Sequence, residues 1–149
     1  MKASLAFIFF LLFLAGIAFV NLRGIQDDAD SIVTTEEQLL DVAWRPTHLG
    51  EMTLEESTPM RLQFNPRGQM GGHAGCNRYF GSYEFRESGL VFSMVGSTRM
   101  ACEEPASSIE IAYLEALNQV AAAARSENRL ALRSADGDAL ARFVAVPRE

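Results

Sequence analysis

The chain has 149 residues and a formal charge of −6 at pH 7. Its first two cations, Lys2 and Arg23, flank the uncharged run from Ala3 to Leu22; from Gly24 onward stand 11 Arg, no Lys and 19 Asp or Glu, a charge of −8. So acidic a chain lacks the basic patch that nucleic-acid binding requires, and without Lys it has neither a Schiff-base amine nor the lysine of a phosphate-binding P-loop.

The apolar run comes first in chain order. About 20 apolar residues span a bilayer, whereas the core of a secretory signal needs only about 7–15. Residues 1–23 therefore read as a signal peptide or an N-terminal membrane anchor. Gly16-Ile17-Ala18 is a poor cleavage motif, which favours the anchor, and Ile17 stands where a lipoprotein would carry its lipidated Cys. In both cases Lys2 stays on the cytoplasmic side and the remainder is exported to face the periplasm. Residues 24–38, "GIQDDADSIVTTEEQ", are acidic with few large apolar groups and read as a linker. About 110 residues follow, enough for one ordinary domain, 39–149.

Strand signals dominate this domain. Leu39 to Leu49 carries Leu39, Leu40, Val42 and the only Trp, Trp44. "MRLQF" alternates Met60, Leu62 and Phe64 with Arg61 and Gln63, the pattern of a half-buried strand. Asn65 to Gly68, with Pro66 second, is a turn. "RYFGSYEF" places Tyr79, Gly81, Tyr83 and Phe85 on one face, "ESG" reverses the chain, and "LVFSM" alternates Leu90, Phe92 and Met94. "SSIEIAYLEALNQVAAAA" instead has helical spacing, with Ile109, Tyr113, Leu117, Val120 and Ala124 as its apolar stripe. Ser107 and Glu110 have the spacing of a capping box, in which each side chain satisfies a first-turn N–H. The end of the chain reads as a hairpin turning at Asp136-Gly137. Five or six strands, one helix and two strands predict an α+β fold: an antiparallel sheet, curled or closed into a partly open barrel, with one packed α-helix.

Gly71 to Tyr83, "GGHAGCNRYFGSY", concentrates glycine, His73 and Cys76 in thirteen residues. A phosphate cradle would need a helix after it, and a strand follows. Cys76 could be a nucleophile with His73 or His48 as base, although a nucleophile and its base usually come from separate segments. His48, His73, Cys76 and Cys102 could fill a tetrahedral zinc site, although the spacing matches no zinc pattern. The structural alternative pairs Cys76 with Cys102, as export favours, and uses Gly71, Gly72, Gly75 and Asn77 to bend the chain. This last reading is the one the residues favour.

"GCNRYFGSY" followed by "STRMAC" resembles the META domain (HslJ-like) family. Trp44, Phe64, Gly75, Cys76, Asn77, Gly81, Tyr83, Thr98, Ala101 and Cys102 fall on the family pattern, and the resemblance covers about Leu39 to Val146. It implies a compact β-rich domain with one helix and no agreed catalytic residues. It also implies a link to heat shock, stress response and antibiotic tolerance. The expected function is thus a non-enzymatic binding or structural module of the cell envelope, without cofactor or metal. Its partner would be an envelope protein or a small ligand, and it would meet the membrane through its N-terminal segment. A thiol-dependent enzyme using Cys76 is the alternative. Arg78 and Arg99 lie next to the two cysteines in sequence. They are expected to be solvated or paired with Glu84 or Glu103, or else to contact an anion or a partner.

Overall fold

The computed structural model describes residues 31–148 other than Thr34, Asp41 and Ser88, and the backbone alone of Met94. The predicted leader, residues 1–23, and the first part of the predicted linker lie outside the described residues, as does the Met94 side chain. Among the described residues no helix is long and apolar enough to cross a membrane.

Ten strands form one antiparallel sheet: β1 (Ser31–Ile32), β2 (Ala43–Leu49), β3 (Met52–Thr53), β4 (Met60–Asn65), β5 (Gln69–Ala74), β6 (Arg78–Arg86), β7 (Gly89–Ser97), β8 (Ala122–Ser126), β9 (Arg129–Arg133) and β10 (Ala139–Val146). The single α-helix among the described residues, α1 (Ala106–Leu117), connects β7 to β8. The strands run in the order β1-β8-β9-β10-β2-β4-β5-β6-β7, with β3 paired on β2. The sheet curls into a half-barrel, so its two ends approach each other. A Cβ placed on Gly89 of β7 would lie 2.5 Å from the Ala121 carbonyl beside β8, so only glycine fits at this contact.

Alternation along the strands separates the two faces. In β4, Met60, Leu62 and Phe64 are buried while Gln63 is exposed. Trp44, Phe64, Tyr113, Phe143, Leu39 and Leu90 fill the interior between the sheet and α1. Trp44 is fully buried, as its strand pattern predicts, and its indole N–H donates to the Leu39 carbonyl at 3.2 Å. The guanidinium of Arg125 covers the indole, 5.2 Å from the ring centroid.

Four expectations are corrected. The strand predicted from Leu39 begins only at Ala43, after a 3-10 turn at Glu36–Gln38. Part of the predicted linker belongs to the fold: β1 pairs with β8, and Val33 is buried in the core. The helix ends at Leu117, and Ala122 to Ala124 of its predicted length form β8, because pairing with β9 outweighs the high helix propensity of alanine. The closing turn is a five-residue loop, Ser134 to Asp138, and not a two-residue hairpin; Ser134 N–H donates to the Asp138 carbonyl at 3.0 Å. Among the described residues the observed order is thus seven strands, one α-helix and three strands.

The chain's three tyrosines all sit in or against this core. The hydroxyls of Tyr79 and Tyr113 lie 2.9 Å apart, and that of Tyr79 donates to the Arg61 carbonyl, also at 2.9 Å. Burial drives the Tyr79 pKa well above 10 and raises that of Tyr113 as well. Tyr83 is pushed up to about 12 by burial and by the nearby Glu36 carboxylate. The unfolded chain gives up these protons near pH 10, whereas the folded chain retains them. Their stabilising contribution is therefore complete below about pH 10 and lost as pH rises toward the folded values. The urea midpoint should stay level between about pH 7 and 9 and fall above about 10, less steeply in Tyr113→Phe; a level profile to about pH 11.5 contradicts this.

Candidate functional site

Two regions compete for the function: the bend that carries Cys76, and the outer face of the strands on either side of it.

The bend is shorter than expected. Gly71 and Gly72 lie within β5, and the chain turns only at Gly75, Cys76 and Asn77. Gly72 is needed for closeness, since a Cβ there would stand 1.9 Å from the Arg61 carbonyl on β4. Gly75 is needed for conformation, having φ +106° while a Cβ there would meet only Met60 Cγ at an ordinary 3.9 Å. Cys76 and Cys102 form a disulfide with Cα atoms 6.1 Å apart. That bond leaves no thiol for a nucleophile, and His73 turns its Nδ1 to the Gly75 N–H at 3.2 Å.

Asn77 organises the bend. Its backbone N–H and its side-chain Nδ2 donate to the two oxygens of Glu110 at 2.8 and 3.0 Å. Its Oδ1 accepts from Thr98 Oγ1 at 2.9 Å and from Met100 N–H at 2.8 Å, while Nδ2 also reaches the Met100 carbonyl and Cys102 Sγ, each at 3.3 Å. Asn77 is 3% exposed and Glu110 9%. Sequence reasoning assigned Glu110 to a capping box with Ser107. In fact α1 is preceded by Pro105 with no side-chain cap, and Glu110 points inward across the fold. The only signal in the sequence was an acid on an otherwise apolar helix face. Cys76, Cys102 and Glu110 bring their ligand atoms within 4.8 Å of one another, whereas His48 and His73 of the expected zinc set lie elsewhere. With both sulfurs in the disulfide and both Glu110 oxygens bonded to Asn77, this trio offers a cation no thiolate and no free carboxylate oxygen.

The remaining motif residues are structural. Gly81 sits where the β6–β7 register shifts, its bare Cα allowing Ser93 and Met70 to close in. Tyr83 donates to the Asn65 carbonyl at 2.7 Å and to Glu36 at 3.3 Å. Thr98 also anchors β6, its Oγ1 accepting from Arg78 N–H at 3.2 Å.

The outer face is arranged in rows by strand register. Arg61, His73 and Arg78 stand opposite one another across β4, β5 and β6, and the next row is Gln63, Gly71, Phe80 and Gly96. Phe80 is 62% exposed. Arg61, His73, Arg78, Gln63 and Phe80 line a groove of about 750 Å³ that also takes in Thr98. A second hollow shares Gln63 and Phe80 and reaches Arg148. Neither Arg78 nor Arg99 forms an ion pair among the described residues; Glu84, the expected partner, binds Arg86. Arg78 lines the groove and Arg99 does not.

The sequence pattern of the META domain matches residues 37–147. Among solved structures, the chain is similar to a protein from Burkholderia xenovorans determined by NMR, with a TM-score of 0.62 and 28% identity over 80% of this chain and 92% of that one. A second NMR structure matches with a TM-score of 0.58 and 22% identity over 75% of this chain and 96% of that one. The crystal structure of a DUF4847 family protein from Bacteroides vulgatus ATCC 8482 matches at 0.55 and 13% over 76% and 99%; these last two likenesses concern the fold alone. The search of curated proteins gives no match.

Two stability predictions follow from the bend. Closing a 26-residue separation should make the disulfide worth roughly 3.5 kcal/mol. Cys76→Ser, Cys102→Ser and the double variant should all lose about that amount in urea unfolding; a double variant losing the sum of the singles would mean that the cysteines act independently. Asn77→Ala keeps the backbone N–H on Glu110 but removes the Nδ2 donor and the Oδ1 acceptor of Thr98 and Met100, and should cost about 2–3 kcal/mol. A loss below about 1 kcal/mol would place the organising role elsewhere.

Proposed function

The chain belongs to the META domain family, and from that premise we propose that it is a non-enzymatic binding module of the cell envelope that acts in stress or antibiotic tolerance. The uncharged run at its N-terminus and the Lys-free acidic remainder support an exported domain held at the membrane. The disulfide is consistent with an oxidising compartment. The family-pattern residues of the bend, Cys76, Asn77, Thr98 and Cys102, are bonded to one another, which suits a fixed scaffold better than a reacting centre.

The observation that carries the reading is the outer groove. It joins an exposed phenyl ring to a row of hydrogen-bond donors that have no acidic partner in its lining. Exposed aromatic and arginine side chains gathered in a concave surface are the usual ingredients of a binding site.

The test is made in the cell of origin under heat and antibiotic challenge. Phe80→Ala and Arg78→Gln should reproduce the loss of tolerance seen on deleting the gene, with the protein still folded and present. Cys76→Ser should reduce tolerance only as far as it reduces the amount of folded protein. Full tolerance in both groove variants, together with complete loss in a folded Cys76→Ser, would point instead to a thiol-dependent enzyme.

A further inference from the structure

The groove also carries an indication of what it binds. In a chain with 19 acidic residues, none lines either of the two outer hollows, which together hold Arg61, His73, Arg78 and Arg148. Register puts Arg61 opposite His73 and His73 opposite Arg78, on strands about 4.8 Å apart. Arg61 and Arg78 thus stand on one face about 9.6 Å apart at the backbone, near enough for their like charges to repel across the intervening strand. No carboxylate among the described residues offsets this.

The donors also face outward. Arg61 uses one N–H on the Met60 carbonyl at 2.8 Å, leaving the rest of its fork free. His73 accepts the Gly75 N–H at Nδ1, so the proton of its neutral ring sits on Nε2. Beside this row the Phe80 ring leans over Gly96, whose Cβ, if present, would touch it at 3.4 Å. Gly71 on the other side contributes no side chain, and a Cβ there would meet the Tyr79 carbonyl at 2.6 Å. The groove therefore has a polar cationic end and an exposed phenyl ring, beside which two glycines add no side chain.

We propose that this groove binds a small organic anion with a flat apolar body, an aromatic carboxylate in class. The carboxylate sits between Arg61 and Arg78, within reach of His73 Nε2, and the body lies against Phe80. Paired guanidinium forks match a planar carboxylate. The volume is that of a small-molecule site. A peptide added as a strand does not fit, because β4, β5 and β6 are paired on both sides and offer no free edge here.

This inference rests on the reading of the domain as a binding module. Its test is calorimetry on the full chain in phosphatidylcholine nanodiscs, with empty nanodiscs as the blank. The probes are 2-naphthoate, its uncharged analogue 2-naphthamide, acetate and hexaglutamate. 2-Naphthoate should bind with a Kd below about 1 mM, and 2-naphthamide and acetate at least about tenfold more weakly. Arg78→Gln and Phe80→Ala should each weaken 2-naphthoate about five- to tenfold, with thermal midpoints unchanged because both side chains are exposed. No binding of 2-naphthoate, equal binding of acid and amide, unchanged affinity in both variants, or tighter binding of hexaglutamate would each overturn the ligand class. If Phe80→Ala abolishes tolerance while 2-naphthoate fails to bind, only the ligand class falls. If 2-naphthoate binds as described and Phe80→Ala keeps full tolerance, the groove's role in tolerance falls instead.

Discussion

A buried carboxylate facing a buried amide is the constraint on which the rest of the structure depends. Glu110 comes from the helix and Asn77 from the bend 33 residues earlier. A charge in the core is costly unless its partners are fixed, and here the two N–H groups of a single residue supply them. The position of α1 over the sheet is thus set by polar matching as well as by apolar packing. Asn77 does more than hold the helix. Through Oδ1 it also holds Thr98 and Met100, the start of the segment leading back to Cys102.

The disulfide and this polar cluster act on the same bend in different ways. The disulfide mainly restricts the unfolded chain by closing a 26-residue loop. The Asn77–Glu110 contacts act only in the folded state, since they require the helix to be in place. Together they fix the start of β6, and with it the register that sets Arg78 against His73 and Phe80 against Gly71. The outer groove is in this sense a product of the interior: its side chains make few contacts of their own, and its geometry is inherited from the strands beneath.

Much of this was legible in the sequence wherever the cause was local. Alternation identified β4, β6 and the start of β7, and a lone Trp among apolar neighbours marked the core. Two cysteines in a chain expected to be exported pointed to their pairing. What failed depended on residues far away. Glu110 has the spacing of a local cap but bonds across the fold. The alanines 122–124 have every intrinsic reason to be helical and become a strand because β9 is there to pair with them. The predicted linker hid Val33, one apolar residue whose burial depends on the β8 edge. The groove was the least visible feature, since Arg61, His73 and Phe80 form a surface only once three strands are in register. Of that surface, the sequence marks only Arg78 as a contact for a partner; His73 reads there as a base or metal ligand and Thr98 as part of the family pattern.

The seam of the half-barrel has a bearing on how copies of the protein behave when crowded. An open sheet normally ends in strands whose unpaired amides and carbonyls can template pairing with another molecule. Here β1 lies along β8, pairing at Ala124 and Arg125, and Val33 N–H takes the Ala123 carbonyl at 2.9 Å. Further along, Gly89 brings the end of β7 against Ala121. The β8 edge is thus covered where β1 pairs with it and where β7 closes on Ala121, which leaves less bare ladder there for edge-to-edge aggregation. The few residues from Ser31 to Val33 therefore contribute to colloidal behaviour out of proportion to their number. Trimming the chain back to Leu39 would remove that cover and leave a domain prone to self-association.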